Sequence, residues 1–386
     1  MGATIPYPNP APQSCDPTGG AGAPPRRRAH APLLLLLAAV LLTAAGCGSL
    51  SNPKGWAPPL PTSDALYASI DPGKMAALDA SAFSARWIFP PSTKEGKKLK
   101  LEGIYGAPIV RGDLLYFGAY DGFVYALDAA SGAEVWRFDA GGPIVGRLAL
   151  NEDGSTLFVA SDNGKLYGLD PASGTLKVGP FDAGAGILAT PLVDRGAIYV
   201  AAVNGRLFKL GESTLAVTWT FKAAAALLTD PTLADEGTIL VGGIDQKLHA
   251  VSTADGAKKW SFSAENWFWG RPLVSSSGVY APSLDHHVYA LDPATGGLRW
   301  KFALSAPVRS SPLLADGVLV VIDKDGNAFG LDPASGAKKW GPTQIGATVL
   351  SDPVLFQDKV LVMAQGGDLH SINPADGALA KVTVTR

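Results

Sequence analysis

The chain has 386 residues, 47% of them apolar and 17% charged, with 45 glycines, 30 prolines and two cysteines. That composition allows a large core cut by many turns, and it excludes a disulfide-stapled scaffold or a low-complexity chain. A net charge of −2 supplies no field for nucleic acid or an anionic surface, so no nucleic-acid partner is expected.

Residues 1–25 are rich in Pro, Gly and Ala and read as a disordered lead or as a start assigned too early. Arg26-Arg27-Arg28, an apolar run over residues 33–42 and Ala44-Ala45-Gly46-Cys47 then make a secretory signal at 26–47. The run is shorter than the roughly 20 residues of a comfortable membrane span. A cysteine at the cut resembles the bacterial lipobox, which implies a lipid on Cys47 as the mature N-terminus, although Ala44 stands where that pattern usually has Leu. An ordinary cleaved signal and an uncleaved anchor are the alternatives. The other cysteine, Cys15, lies upstream of the cut, so packing alone must hold the exported domain. Residues 48–57 read as a tether and 58–386 as one folded body.

That body is repetitive. Leu331-Asp332-Pro333-Ala334-Ser335-Gly336 leads to Trp340, Asp128 leads to Trp136 and Asp292 to Trp300. Weaker copies run from Asp79 to Trp87, Gly211 to Trp219 and Ser252 to Trp260. Two more keep the turn and lose the ring, from Asp170 to Val178 and from Asn373 to Lys381. Eight units recur about every 41 residues, apart from a longer first step that holds a Lys-rich insertion at 90–101. The insertion reads as a solvated loop.

Within one unit, residues 312–314 form a short apolar strand and residues 318–322 a fully aliphatic one. Asp325-Gly326 is a hairpin signal, residues 327–331 a third strand, and residues 338–341 a fourth carrying the Trp. Between the last two, Pro333 presets φ, Asp332 bonds its own backbone and Gly336 takes the left-handed corner. Residues 59–64 align with 108–113, so the divergent first unit also counts. Four hairpin-linked strands per repeat describe a propeller blade. The fold predicted is all-β: an eight-bladed β-propeller of four-stranded antiparallel blades. Trp87, Trp136, Trp219, Trp260, Trp300 and Trp340 are then read as structural glue between blades, worth on the order of 2–3 kcal/mol each.

An acid or amide, a turn, a Gly and a Trp eight positions on resembles the tryptophan-docking repeat of quinoprotein alcohol dehydrogenases, the PQQ-like repeat. The resemblance covers about 330 residues and implies the propeller; many family members bind no quinone. It also extends to the family's lipid-anchored outer-membrane assembly proteins in size, anchor and blade count. Quinone-dependent members carry a vicinal Cys-Cys pair, a Ca²⁺ held by acidic and amide groups and an Asp base. The vicinal pair cannot form here, so no cofactor is expected, pyrroloquinoline quinone included. No catalytic residue and no metal site is assigned: most Asp sit in turns, and no nucleophile elbow, phosphate loop or His-Glu-x-x-His appears. His286-His287 reads as a hairpin tip.

In such a blade, the hairpin between the second and third strands shares a face with the link into the next first strand. Ala107, Arg147, Thr190, Asp230, Arg271, Ser311 and Asp352 precede those first strands and should ring the mouth of the central channel. Trp267-Phe268-Trp269 adds aromatics outside the docking position, and Arg309 matches Trp269 one unit later. Arginine and aromatic residues are enriched at binding hot spots. Arg147, Asp230, Trp267, Trp269, Arg271, Arg309 and Asp352 are therefore the candidate binding face; packing of the aromatics on neighbouring loops is the alternative. The expectation is a monomeric, non-catalytic scaffold, lipid-anchored outside the cytoplasm, on the outer membrane where the cell has one, with an envelope protein as partner. A quinone-dependent oxidoreductase or electron-transfer accessory and a carbohydrate- or peptide-binding sensor are the alternatives.

Overall fold

A computed structural model describes residues 55–385 apart from 72 and 95. The leader, Cys47 and most of the expected tether lie outside the described residues. Eight four-stranded antiparallel sheets follow one another, each built from four consecutive strands. They are blade 1 (60–89), blade 2 (109–139), blade 3 (149–182), blade 4 (192–222), blade 5 (232–263), blade 6 (273–303), blade 7 (313–344) and blade 8 (354–382). Among the described residues the only helical segment is the short turn Gly96–Lys98 inside the insertion. The chain is an eight-bladed β-propeller.

Strand position decides composition. First strands have two to four residues and lie at the centre, where neighbouring blades crowd. Second strands are buried along all or nearly all of their length, completely so in Val318–Ile322 and Ala197–Ala201, because another blade covers each face. Fourth strands alternate exposed and covered residues, as in Leu298–Ala303, because only their inner faces have partners. These outer edges carry Lys222, Lys258, Lys301, Lys338 and Lys381, charges that discourage pairing with another chain. The first blade repeats the register of the second: Leu60 faces Tyr67 and Pro61 faces Leu66, as Ile109 faces Tyr116 and Val110 faces Leu115.

The core is divided among eight seams. Each apolar cluster joins two neighbouring blades, and the last, with Leu66 and Leu78 against Leu361 and Met363, joins blade 8 to blade 1. The ring is therefore closed. The chain end reinforces this last seam, because Thr385 pairs in parallel with Ser84 and donates its N–H to Phe83 O at 3.2 Å.

Six seams share one device. Trp87, Trp136, Trp219, Trp260, Trp300 and Trp340 each donate Nε1–H to a turn carbonyl on the next blade, over 2.7–3.1 Å. The indole lies flat against a glycine of that turn: a Cβ on Gly336 would come 2.6 Å from Trp300 Cδ2. Second-strand tyrosines stack beside four of the rings, and Tyr116 and Tyr280 donate to the same carbonyls as Trp136 and Trp300.

The two seams without an indole are filled from the other side. Blade 3 offers Val178, and the turn facing it carries Leu215 where the others have glycine, at φ 55° and buried. Blade 8 offers Lys381, and the facing turn carries Phe83 at φ 52°, its ring 6.5 Å from that of Phe356. An L-residue in the left-handed region is strained. The side chain recovers that cost by filling the volume an indole leaves empty.

Two expectations take a different shape. The fourth strand of blade 7 runs past the expected residue 341 to Gln344, because the ladder resumes beyond Gly341-Pro342. The insertion is solvated at Lys94 and Lys98 but ends on Leu101, which is fully buried between blades 1 and 2.

Candidate functional site

The links into the first strands form a connected rim. Arg147 donates its backbone N–H to Thr190 Oγ1 at 3.0 Å, Thr190 N–H reaches Asp230 Oδ1 at 2.7 Å, and Ser311 N–H reaches Asp352 Oδ1 at 2.6 Å. Each bond crosses from one blade to the next. Backbone crowding enforces the spacing: a Cβ on Gly146 would sit 2.8 Å from the Ala189 and Thr190 backbone, and one on Gly106 2.6 Å from Arg147 N.

Charge alternates along this rim. Burial pushes the Asp230 carboxyl up, against the opposing pull of the Thr190 N–H and the Arg271 charge. Burial and the nearby positive charge of Arg271 push the Arg147 guanidinium down, against the attraction of Asp230. Arg147 and Arg271 nevertheless keep exposed surface. They are enclosed by the channel wall without being sealed from solvent.

Above the rim, Trp269 and Arg309 meet as the spacing predicts: the guanidinium carbon stands 4.2 Å from the Trp269 ring centre. The same guanidinium lies 5.3 Å from the ring of Trp56, which precedes blade 1. Trp56 meets Tyr105 edge-on at 4.4 Å, and Tyr105 meets Tyr120 at 5.5 Å. One cation thus lies against two indoles that are far apart in the sequence, one preceding blade 1 and one in the link into blade 6. The arrangement is held from below, since Ala57 N–H donates to Ile104 O at 3.1 Å and Ala57 is fully buried. Residues 55–57, read as tether, therefore pack on the link between blades 1 and 2.

The three consecutive aromatics divide their labour. Phe268 is buried between blades 5 and 6, while Trp267 and Trp269 remain half-buried at the surface. Sequence reasoning missed Trp56, Tyr105 and Tyr120. The only signal was that Trp56 and Tyr105 hold no docking position. His287 turns back on its own hairpin, with Nδ1 2.9 Å from Asp285 O.

The only cysteines, Cys15 and Cys47, are not vicinal, and among the described residues no three His, Cys, Asp or Glu side chains converge. Among the described residues no helix is long and apolar enough to cross a membrane.

Comparison with known proteins agrees with this architecture. BamB from Moraxella catarrhalis is 20% identical with a TM-score of 0.63, over 72% of this chain and 87% of that one. The computationally designed Ika8 protein is 12% identical with a TM-score of 0.69, over 86% of this chain and 98% of the designed one. At these identities the likeness is one of fold. No curated protein sequence matches the chain. The family described as outer membrane protein assembly factor BamB matches residues 120–263, 216–296 and 245–385, overlapping stretches that cover well over half of the sequence. With eight blades closed by a repeated indole dock, the chain belongs to that BamB family of PQQ-like propellers.

Proposed function

We propose that this chain is a non-catalytic, monomeric scaffold that grips an envelope protein through the mouth of its channel. A lipid on Cys47 holds it outside the cytoplasm, on the outer membrane where the cell has one. Three things support the reading: the family, the lipobox-like cut at Cys47, and the chemistry of the mouth. The observation that carries it is the Arg309 guanidinium held between Trp56 and Trp269.

Arginine on aromatic faces is preorganised, so a partner docking there loses little side-chain freedom. Half-buried Trp267 and Trp269 add apolar area, and Arg147, Asp230, Arg271 and Asp352 behind them give a polar floor that selects register more than affinity. A hot-spot cluster inside a polar surround is the anatomy of a protein interface. The family takes its name from the assembly of outer-membrane proteins, so the partner expected is a component or client of that process.

Crosslinking the full-length chain in its own cells tests this. Wild type should capture an outer-membrane or periplasmic protein, and the double variant Trp267→Ala, Trp269→Ala should reduce that capture about tenfold or more, the effect of losing one or two hot-spot residues. Capture that is unchanged in the double variant would move the interface off this face. Binding to glycans with no protein partner would favour the carbohydrate-sensor alternative.

A further inference from the structure

The Lys-rich insertion at 90–101 serves neither the repeat nor the mouth. It holds four lysines, Lys94, Lys97, Lys98 and Lys100, against one acid, Glu95, a net charge of +3 in a chain whose total is −2. The total gives no attraction to an anionic surface. Charges are screened within about 8 Å in physiological salt, however, so such a surface feels only the patch that touches it. The loop leaves the outer strand of blade 1, Ala85–Phe89, and is held in shape. Gly96 N–H donates to Thr93 Oγ1 and Leu99 N–H to Gly96 O, each at 3.1 Å, around the turn Gly96–Lys98. A Cβ on Gly96 would collide with the Pro91 carbonyl. Leu99 packs on the seam between blades 1 and 2, and Leu101 is buried within it. Lys94, Lys98 and Lys100 stay exposed, and among the described residues none of the three is held in an ion pair. Two leucines root the loop and leave its lysines to solvent.

The N-terminal segment joins the wheel at the same place. Ala57 N–H donates to Ile104 O at 3.1 Å, and a Cβ on Gly55 would collide with the Ile104 backbone. Ile104 stands three residues beyond the insertion, in the same link between blades 1 and 2. Upstream of Gly55, eight residue steps lead back to Cys47, at most about 28 Å of chain. A lipid on Cys47 would therefore keep this link, with its lysines, close to the bilayer, at the high effective concentration of an intramolecular contact. A lipid and a basic patch together make a two-signal anchor, in which each lysine at an anionic surface adds about fivefold.

We propose that the insertion is a second membrane contact, its lysines resting on anionic lipid headgroups beside the lipid on Cys47. The proposal rests on the lipid-anchor half of the functional reading and not on the choice of protein partner. The lysine ammonium groups neutralise headgroup phosphates, and the edge of the wheel at blades 1 and 2 turns toward the bilayer instead of swinging freely on its tether. An acidic protein offers the same charge, but the bilayer is the anionic surface that the tether holds within reach.

The test uses the lipidated chain, purified from cells that process its own leader, with Ser92→Cys to attach an environment-sensitive fluorophore in the exposed part of the loop. The chain is reconstituted into vesicles of phosphatidylcholine alone, or of equal parts phosphatidylcholine and phosphatidylglycerol, each carrying a lipid-borne quencher. It should float with both. The fluorophore should be quenched in the mixed vesicles at low salt, and far less in the neutral vesicles or in high salt. The triple variant Lys94→Gln, Lys98→Gln, Lys100→Gln keeps Leu99 and Leu101, and should lower the ratio of contacting to free loops by at least tenfold. Flotation with both vesicles but equal quenching in the two, or quenching unchanged in the triple variant, would overturn this proposal alone and leave the lysines to an acidic protein. A chain that floats with neither vesicle would overturn the lipid on Cys47, and this proposal with it.

Discussion

Asp292 shows how much local chemistry one turn position holds. Its carboxylate accepts from Arg299 Nη2 at 2.7 Å and from both the N–H and the hydroxyl of Thr295 at 3.0 Å. These bonds, that of Arg299 foremost, hold its carboxyl down to about 2. Asp128, Asp170 and Asp332 are lowered by equivalent serine bonds in their own turns. In the unfolded chain the value is about 4, so the folded form gains stability that is complete above about pH 4. It is lost as pH falls through the folded values. Each carboxylate is solvated and contributes little alone, but the device repeats around the ring. Scanning calorimetry should therefore show a falling Tm between about pH 4 and pH 2, with a shallower fall in Asp292→Asn. A Tm independent of pH across that window would show that these turns do not depend on their carboxylates. The sequence made this chemistry legible, because Asp-Pro-x-Ser/Thr-Gly is a turn with a mechanism.

Blades are joined by pairs of positions, one on each blade, and these pairs are the unit of stability. Where an indole is present the facing turn has glycine; where it is absent the facing turn has Leu215 or Phe83. The six tryptophans could be read from spacing alone. The two substitutes could not, since a motif read within one repeat does not reveal that its missing ring is replaced from the next repeat. If the pairing is physical, the two kinds of seam are interchangeable. Trp300→Val should cost about 3 kcal/mol through the lost ring and the cavity it leaves. Gly336→Leu should cost about 2 kcal/mol or more, from a positive φ of 72° and the clash with Trp300. The double variant copies the Val178–Leu215 seam, and in urea unfolding it should recover about 1–2 kcal/mol relative to the sum of the singles. Strict additivity would refute the pairing.

At the scale of the whole molecule, the wheel creates neighbours that no local reading could supply. Trp56 precedes blade 1 and Arg309 lies in the link into blade 7, so they are distant in sequence and meet because the ring closes. Repeat spacing was enough to predict the closed ring, the four-stranded blades and the side of the wheel on which the links lie. Trp269 and Arg309 could be paired in advance because they hold matching positions in consecutive units. The second indole on that arginine could not, because it lies outside the repeat. Topology also separates the two faces: the rim with Trp269 lies on the side of the second-to-third hairpins, and the turn with Ser335 on the opposite side. The most direct test places a photoreactive amino acid at Trp269 in one full-length chain and at Ser335 in another, and irradiates living cells. The account predicts a crosslinked envelope protein from position 269 and none from position 335. The same product from position 335, with none from 269, would contradict it.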